Sequence, residues 1–238
     1  MGGFFTDFFR LRFTKNKLSV MSLPKNEKQP SSIVPMNAKA FKWLIETLQA
    51  VKNPLPDHLE EYLESVMQAR YCRSTHILHE QDTIIDKAYF ISSGYIIVYY
   101  FNAEGKLSVL RIYGPGQIVA GNSFMNCIKA GYCIKVYEDA YLLEITHSQM
   151  ETGYKTIPGM DELARLTLAS FEDKEMFRDE MIRKGGEDSV LHFYRTFPGL
   201  LHTRIIRDEY IASYLLMSAD YLQRCRMRLI EQRILPEK

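Results

Sequence analysis

What this chain has little of excludes several classes of protein before any motif is read. It carries almost no excess of charge: 30 Lys and Arg stand against 29 Asp and Glu, a formal net charge of +1. Global charge therefore points to no partner, and a nucleic-acid role has to rest on a local basic surface. The four cysteines, Cys72, Cys127, Cys133 and Cys225, show no CxxC pair and no zinc-ligand spacing, so we read them as free thiols in a reducing cytosol. No run approaches the roughly 18 apolar residues of a membrane span, and no repeat of about 20 to 50 residues is visible. A hydrophobic share of 46% beside a charged share of 25% is that of an ordinary globular protein, which excludes wholesale disorder.

The start, MGGFFTDFFRLRFTKNK, lacks the continuous apolar core and small-residue cleavage site of a signal peptide. Phe4, Phe5, Phe8, Phe9 and Phe13 recur at helical spacing with Arg10, Arg12, Lys15 and Lys17 among them, a pattern that fits a membrane surface or a partner. The plainer alternative, adopted here, is a flexible extension over residues 1–36, or a start assigned too far upstream with Met21 or Met36 as the true first residue. Met1-Gly2 with Thr6 fits the short myristoylation pattern, which we discount, so no membrane partner is expected and the chain is placed in the cytoplasm.

What is present falls into segments. Residues 22–37 are rich in Pro, Ser, Lys and Asn and read as a linker. AKAFKWLIETLQAV then places Phe41, Leu44, Ile45 and Leu48 on one helical face, and Asp57 is the expected cap of a second helix, HLEEYLESVMQA. From Thr75 the period changes to short runs rich in Ile, Val, Tyr and Phe. THILHE, KAYFISSG, YIIVYYFN, KLSVLRIYG, YCIKVYED and AYLLEIT are parted by turn residues such as Asn102-Ala103-Glu104-Gly105, which predicts a β sandwich or jelly roll. Helical period returns at His147. Pro158-Gly159 opens a long segment to Lys184 with Met160, Leu163, Leu166, Phe171, Phe177 and Met181 along one edge, an edge a lone helix cannot hide.

The last patterned stretch, RDEYIASYLLMSADYLQRCRMRLIEQRI, reads as a helix pair. Ile211 and Leu215 face inward from a first helix, Ala212 is small enough for a close crossing, and Leu222 and Leu229 form the apolar face of the second. Ser218 is a natural N-cap. This leaves Ser218, Ala219, Asp220, Gln223, Arg224 and Arg228 on the first turns and exposed side, the side chains that can meet base edges and phosphates.

This order of β roll, long helix and helix pair resembles the Crp/Fnr family of bacterial transcription regulators. KAYFISSGYIIVYYFNAEGKLSVLRIYGPGQIV looks like the family's cyclic-nucleotide-binding roll, and FPGLLHTRIIRDEYIASYLLMSADYLQRCR is similar to the helix-turn-helix of its Bacteroidetes branch. The resemblance implies an α+β fold: N-terminal helices and a β jelly-roll domain over 37–157, a dimerisation helix over 158–184, and a helix-turn-helix DNA-binding domain over 185–238. It also implies double-stranded DNA, a second copy of the chain and RNA polymerase as partners, with Asp220 and Arg224 at the motif's base-reading positions. Two departures stand out. Leu216 occupies the turn where Gly is usual, so that turn is strained or rebuilt, and the tail from Gln232 leaves no room for a winged hairpin.

In nucleotide-binding members a G-E-L stretch followed by R-S/T-A holds the cyclic phosphate. Here Ala120 and Gly121 occupy the G-E positions, with Tyr132, Cys133 and Ile134 at R-S/T-A. Without a cation at that place the phosphate loses its strongest bonds, so cyclic AMP is not expected as effector and no cofactor is predicted; Lys129 and Lys135 are read as pointing to solvent. The remaining pocket mouth is Gly121, Asn122, Ser123, Tyr132 and Cys133. Iron–sulfur and haem sensing find too few ligands near Cys72, His76 and His79. Two alternatives stay open: a cupin-like metal enzyme, although His76 and His79 at spacing three fall on opposite strand faces, and a regulator that acts through protein contacts without DNA.

Overall fold

The computed structural model describes residues 29–237, with the side chains of residues 171–175 and 177 outside the described set. The aromatic and basic pattern from Phe4 to Lys17, and Phe171 and Phe177 of the long stripe, lie outside the described residues.

In chain order the elements are β1 (Ser31–Val34), α1 (Ala38–Gln49), α2 (Leu59–Val66), β2 (Gln68–Cys72), β3 (His76–His79), β4 (Thr83–Ile84), β5 (Lys87–Ser93), β6 (Ile96–Phe101) and β7 (Leu107–Tyr113). There follow β8 (Ile118–Val119), α3 (Asn122–Met125), β9 (Lys129–Ala130), β10 (Cys133–Val136), β11 (Ala140–Thr146), α4 (His147–Thr156), α5 (Met160–Lys184) and α6 (Gly186–Thr196). A 3-10 turn at Pro198–Leu200 leads to α7 (Asp208–Tyr214) and α8 (Ala219–Glu231). The strands pair antiparallel in two main sheets, one ordered β1-β2-β11-β5-β8 and the other β3-β10-β6-β7, with β4-β9 as a small ribbon. This is a β jelly roll with helices before and after it, the α+β architecture that the sequence predicts.

Two apolar cores result. One fills the roll and takes in Phe41, Leu44, Ile45 and Leu48 of α1 together with Leu59 and Leu63 of α2. The other lies between the outer face of the four-stranded sheet and the C-terminal helices, where Ile97, Val109 and Ile112 meet Phe193, Ile211, Leu222 and Leu229. The helix pair is thus seated directly on the roll. Val109 N–H donates to Ser213 Oγ at 2.9 Å across that seam, tying β7 to α7.

The sequence reading needs correction at three places before β3. Residues 31–34, placed in the flexible extension, form β1 and pair with β2 from Ser31 opposite Cys72 to Val34 opposite Ala69. Asp57 does not cap α2; the helix starts after His58, which takes the left-handed φ of 62°, with no side-chain cap. The helix also stops at Val66, because Gln68–Cys72 finds strand partners on both sides, β1 and β11. Elsewhere local chemistry agrees with the expectation. Asn37 Oδ1 accepts from Lys39 N–H at 2.9 Å to open α1, the turn at Asn102 is closed by Asn102 Oδ1 accepting from Lys106 N–H at 2.8 Å, and α5 runs from just after Pro158-Gly159 to Gly185.

Glu144 of β11, nearly wholly buried, accepts two hydrogen bonds from Arg70, each at 2.8 Å, and one from Lys87 at 3.0 Å. Burial pushes its carboxyl pKa up, but the bonds to Arg70 and Lys87 outweigh it and the net shift is downward.

Candidate nucleic-acid interface and effector cavity

The turn between α7 and α8 joins two closely packed helices. Ile211, Ala212 and Leu215 are buried under Leu222, Cys225 and Leu229, so the small Ala212 sits where the helices approach. Leu216 follows with φ of 54°, a left-handed residue that reverses the chain without glycine, and its side chain is 73% exposed. The strained alternative is therefore the one found. Ser218 Oγ then accepts from Tyr221 N–H at 3.2 Å and caps α8.

The burial pattern divides the three alternate arginines of α8. Arg224 is exposed beside Gln223, with its guanidinium 5.8 Å from the Tyr221 ring centroid. Arg226 turns inward: Nη1 and Nη2 fork onto the Asp208 carboxylate at 2.9 and 2.7 Å, and Nη1 also donates to Tyr194 Oη at 2.9 Å. The Asp208 bond, against the opposing effect of burial, raises the Arg226 pKa further. Arg228 is exposed but lies 3.3 Å from Glu187 at the start of α6. An ion pair this exposed contributes at most about 1 kcal/mol, so Arg228 can exchange it for a phosphate. Asp220 is exposed on the first turn and Ala219 is half-buried.

The second site is a cavity of about 520 Å³ inside the roll, between β7, the α3 region and α5. Gly121, Asn122, Ser123 and Tyr132 line it. Cys133 does not, and here the expectation is corrected. It is buried with Ile97, Tyr99 and Val109 on the opposite face of the sheet, against the C-terminal helices, because neighbouring strand residues point to opposite faces. A Cβ on Gly121 would meet only the Tyr132 hydroxyl, at 3.6 Å, so this glycine is not sterically required.

Sequence reasoning missed the cations of this cavity, Arg111 of β7 and Arg178 of α5, beside Lys87, which is held by Glu144. Strict alternation would put Arg111 on the same face as Val109, toward the helices. A β-bulge intervenes: Val98 pairs with Arg111 and the next residue, Tyr99, pairs with Val109, skipping Leu110. Val109 and Ile112 thereby share the helix-facing side while Leu110 and Arg111 turn into the roll. No single-sequence signal marks that bulge. Lys135, by contrast, stands on the outer face, 5.7 Å from the ring centroids of both Tyr137 and Tyr210, and does not line the cavity.

A smaller cavity of about 260 Å³ adjoins, between β7, α5, α6 and α7, and Arg111 and Arg178 line it too. Its His192 has its pKa lowered by burial and by Arg195 and Lys184, which favours the neutral ring. His76 and His79 bond locally, to the Ser74 carbonyl and to Thr83, and among the described residues no group of three metal-binding side chains comes together. No helix among the described residues is long and apolar enough to cross a membrane.

Comparison with known proteins agrees with this geometry. Residues 68–156 match the cyclic nucleotide-binding domain family. No curated protein matches the chain. Among solved structures, a putative cyclic nucleotide binding protein from Ruegeria pomeroyi is similar at 14% identity and a TM-score of 0.62, over 82% of this chain and 89% of that one. FixK2 from Bradyrhizobium japonicum is similar at 14% identity and 0.58, over 71% and 86%. A cyclic nucleotide-binding domain from Methylobacillus flagellatus follows at 15% and 0.55, over 65% and 87%.

Proposed function

From a chain that carries a cyclic nucleotide-binding domain and has the fold of the Crp/Fnr-type regulators, we propose a dimeric DNA-binding transcription regulator whose roll does not use cyclic AMP. The observation that carries it is α8. Its cap, Ser218, its first-turn Asp220 and its outward Gln223 and Arg224 stand together on the exposed side of a helix whose inner side is fully packed. Arg can grip guanine and Gln adenine with two bonds each, and an acidic first turn can accept from cytosine. Ala219 and Arg228 complete the contact surface at the two ends of that row.

A motif of this size binds weakly alone, so two copies paired through α5 would read half-sites one helical turn apart. Met176, 71% exposed on α5, is a side chain such pairing would cover. The proposed division of labour is a roll over 37–157, a dimerisation helix over 158–184 and a DNA-binding unit over 185–238. Against cyclic AMP stand Ala120, Gly121, Tyr132 and Cys133, which supply neither the carboxylate nor the arginine of the nucleotide-binding pattern.

Selection from a pool of random duplex DNA tests the reading. Enrichment of a two-fold-symmetric site, lost with Arg224→Ala, is the expected result. A folded dimer that enriches nothing at low salt would instead favour a regulator acting through protein contacts.

A further inference from the structure

We propose that an apolar cavity enclosed by α1, α2, the five-stranded sheet and the start of α5 binds a small uncharged aromatic molecule, about one benzene ring in size. It rests on the fold and on the cavity's chemistry, and is independent of the DNA reading. The site is also separate from the cavity of about 520 Å³ inside the roll. Strand neighbours point to opposite faces, so Ala88, Phe90, Ile118 and Ile145 line the apolar cavity while Lys87 and Val119 line the larger one across the sheet. Ala120, Phe124 and Leu168 stand between the two.

Three observations carry it. First, among the described residues no charged side chain lines this cavity, and of its two hydroxyl-bearing residues, Tyr89 and Thr167, the second already donates to the Leu163 carbonyl at 2.8 Å. A charged or strongly polar guest would give up its hydration there for too little in exchange. Second, the cavity measures about 110 Å³ within an otherwise close-packed core, and an apolar guest restores contacts that such a space forfeits. Cavities of roughly 150 Å³ lined by Leu, Ile and Phe admit benzene and not water. Four methionines, Met67, Met125, Met150 and Met160, stand in the lining, and their unbranched side chains adapt to make up the difference; all but Met160 are half-buried, free to swing outward. Third, Phe90 and Phe124 in the same wall favour a ring over an alkyl body, through ring–ring and sulfur–ring contacts.

The position also gives occupancy a consequence. Leu163 and Leu168 place the first turns of α5 on one wall, and Leu44 and Leu63 place α1 and α2 on another. A guest between them would hold α5 in its seat on the roll, and would change any pairing through α5 by as much as it prefers one seating of that helix over another.

The test is calorimetric titration of the full chain with toluene, beside phenol as a polar probe of similar size. We expect toluene to bind once per chain and at least tenfold more tightly than phenol. Ala88→Leu, which fills the cavity, should weaken toluene at least tenfold, whereas Val98→Leu, on the wall of the larger cavity, should bind it as the parent does. Leu163→Ala, which widens the cavity, should bind isobutylbenzene at least tenfold more tightly than the parent. No toluene binding, or phenol binding as tightly, would overturn the site. Toluene binding that survives Ala88→Leu and is lost with Val98→Leu would place the guest inside the roll and overturn it equally. Should Ala88→Leu fail to fold, Leu163→Ala decides, and an unchanged affinity for isobutylbenzene sinks the proposal.

Discussion

At the scale of the residue, Leu216 and the α8 arginines carry the sharpest expectations. A left-handed backbone costs an L residue about 1 to 2 kcal/mol, and Leu216 has little burial to lose. Leu216→Gly should therefore raise stability by about 1 kcal/mol in urea unfolding while leaving DNA affinity intact; a loss of stability would mean that the leucine packs where solvent is seen. Arg224 and Arg226 should separate cleanly. Arg224→Ala is expected to cost about 1 to 3 kcal/mol of DNA binding with an unchanged melting temperature. Arg226→Ala removes the fork on Asp208 and should cost about 2 kcal/mol of stability, a melting temperature lower by about 4 to 8 °C. Spacing alone could not tell these two arginines apart, because only the position of Asp208 and Tyr194 across the helix pair decides which one turns inward.

At the scale of the element, the seam between β7 and α7 is where the roll and the helix pair are joined. Ser213 Oγ is the acceptor for Val109 N–H, a donor the ladder with β6 leaves to it. Ser213→Ala strands that donor and should cost about 1 to 3 kcal/mol, read as faster hydrogen exchange at Val109 than in the parent protein. Unchanged exchange there would show the seam to be held by apolar contact alone. The elements themselves were legible where their chemistry is local: α1 from its stripe, the 102–105 turn from Asn and Gly, α5 from Pro158-Gly159 and Gly185-Gly186, the cap at Ser218. They were illegible where a partner strand decides. Gln68–Cys72 continues a helical pattern and becomes β2 because β1 and β11 flank it, and β1 itself lies in a stretch whose composition is that of a linker.

At the scale of the whole molecule, acid and salt probe different parts. Glu144 has a folded-state pKa below its unfolded one, so the stability it contributes is present above the ordinary carboxylate range near pH 4.3 and is lost as pH falls through the folded value. Acid unfolding should accordingly be shallower in Glu144→Gln, which is itself less stable at neutral pH by about 3 kcal/mol because Arg70 and Lys87 lose their shared acceptor. An identical acid limb in both proteins would remove Glu144 from that account. DNA binding should weaken as salt rises, with a log–log slope reduced by about 1 for each phosphate-contacting cation removed, Arg228 included.

The sequence by itself determined the succession of periods, 3.6, then two from Thr75, then 3.6 again from His147, and with it the roll, the long helix and the capped helix pair. It also determined which anchors of a cyclic phosphate are missing, since those are questions of residue identity at Ala120, Gly121 and Tyr132. Only the tertiary structure decided which way side chains point when neighbours intervene. The bulge at Leu110 sends Arg111 into the roll, strand alternation in register with Tyr99 sends Cys133 out of it, and Asp208 draws Arg226 away from the exposed side of α8. Each of these depends on a strand or helix far along the chain, and no local pattern encodes where that partner will lie.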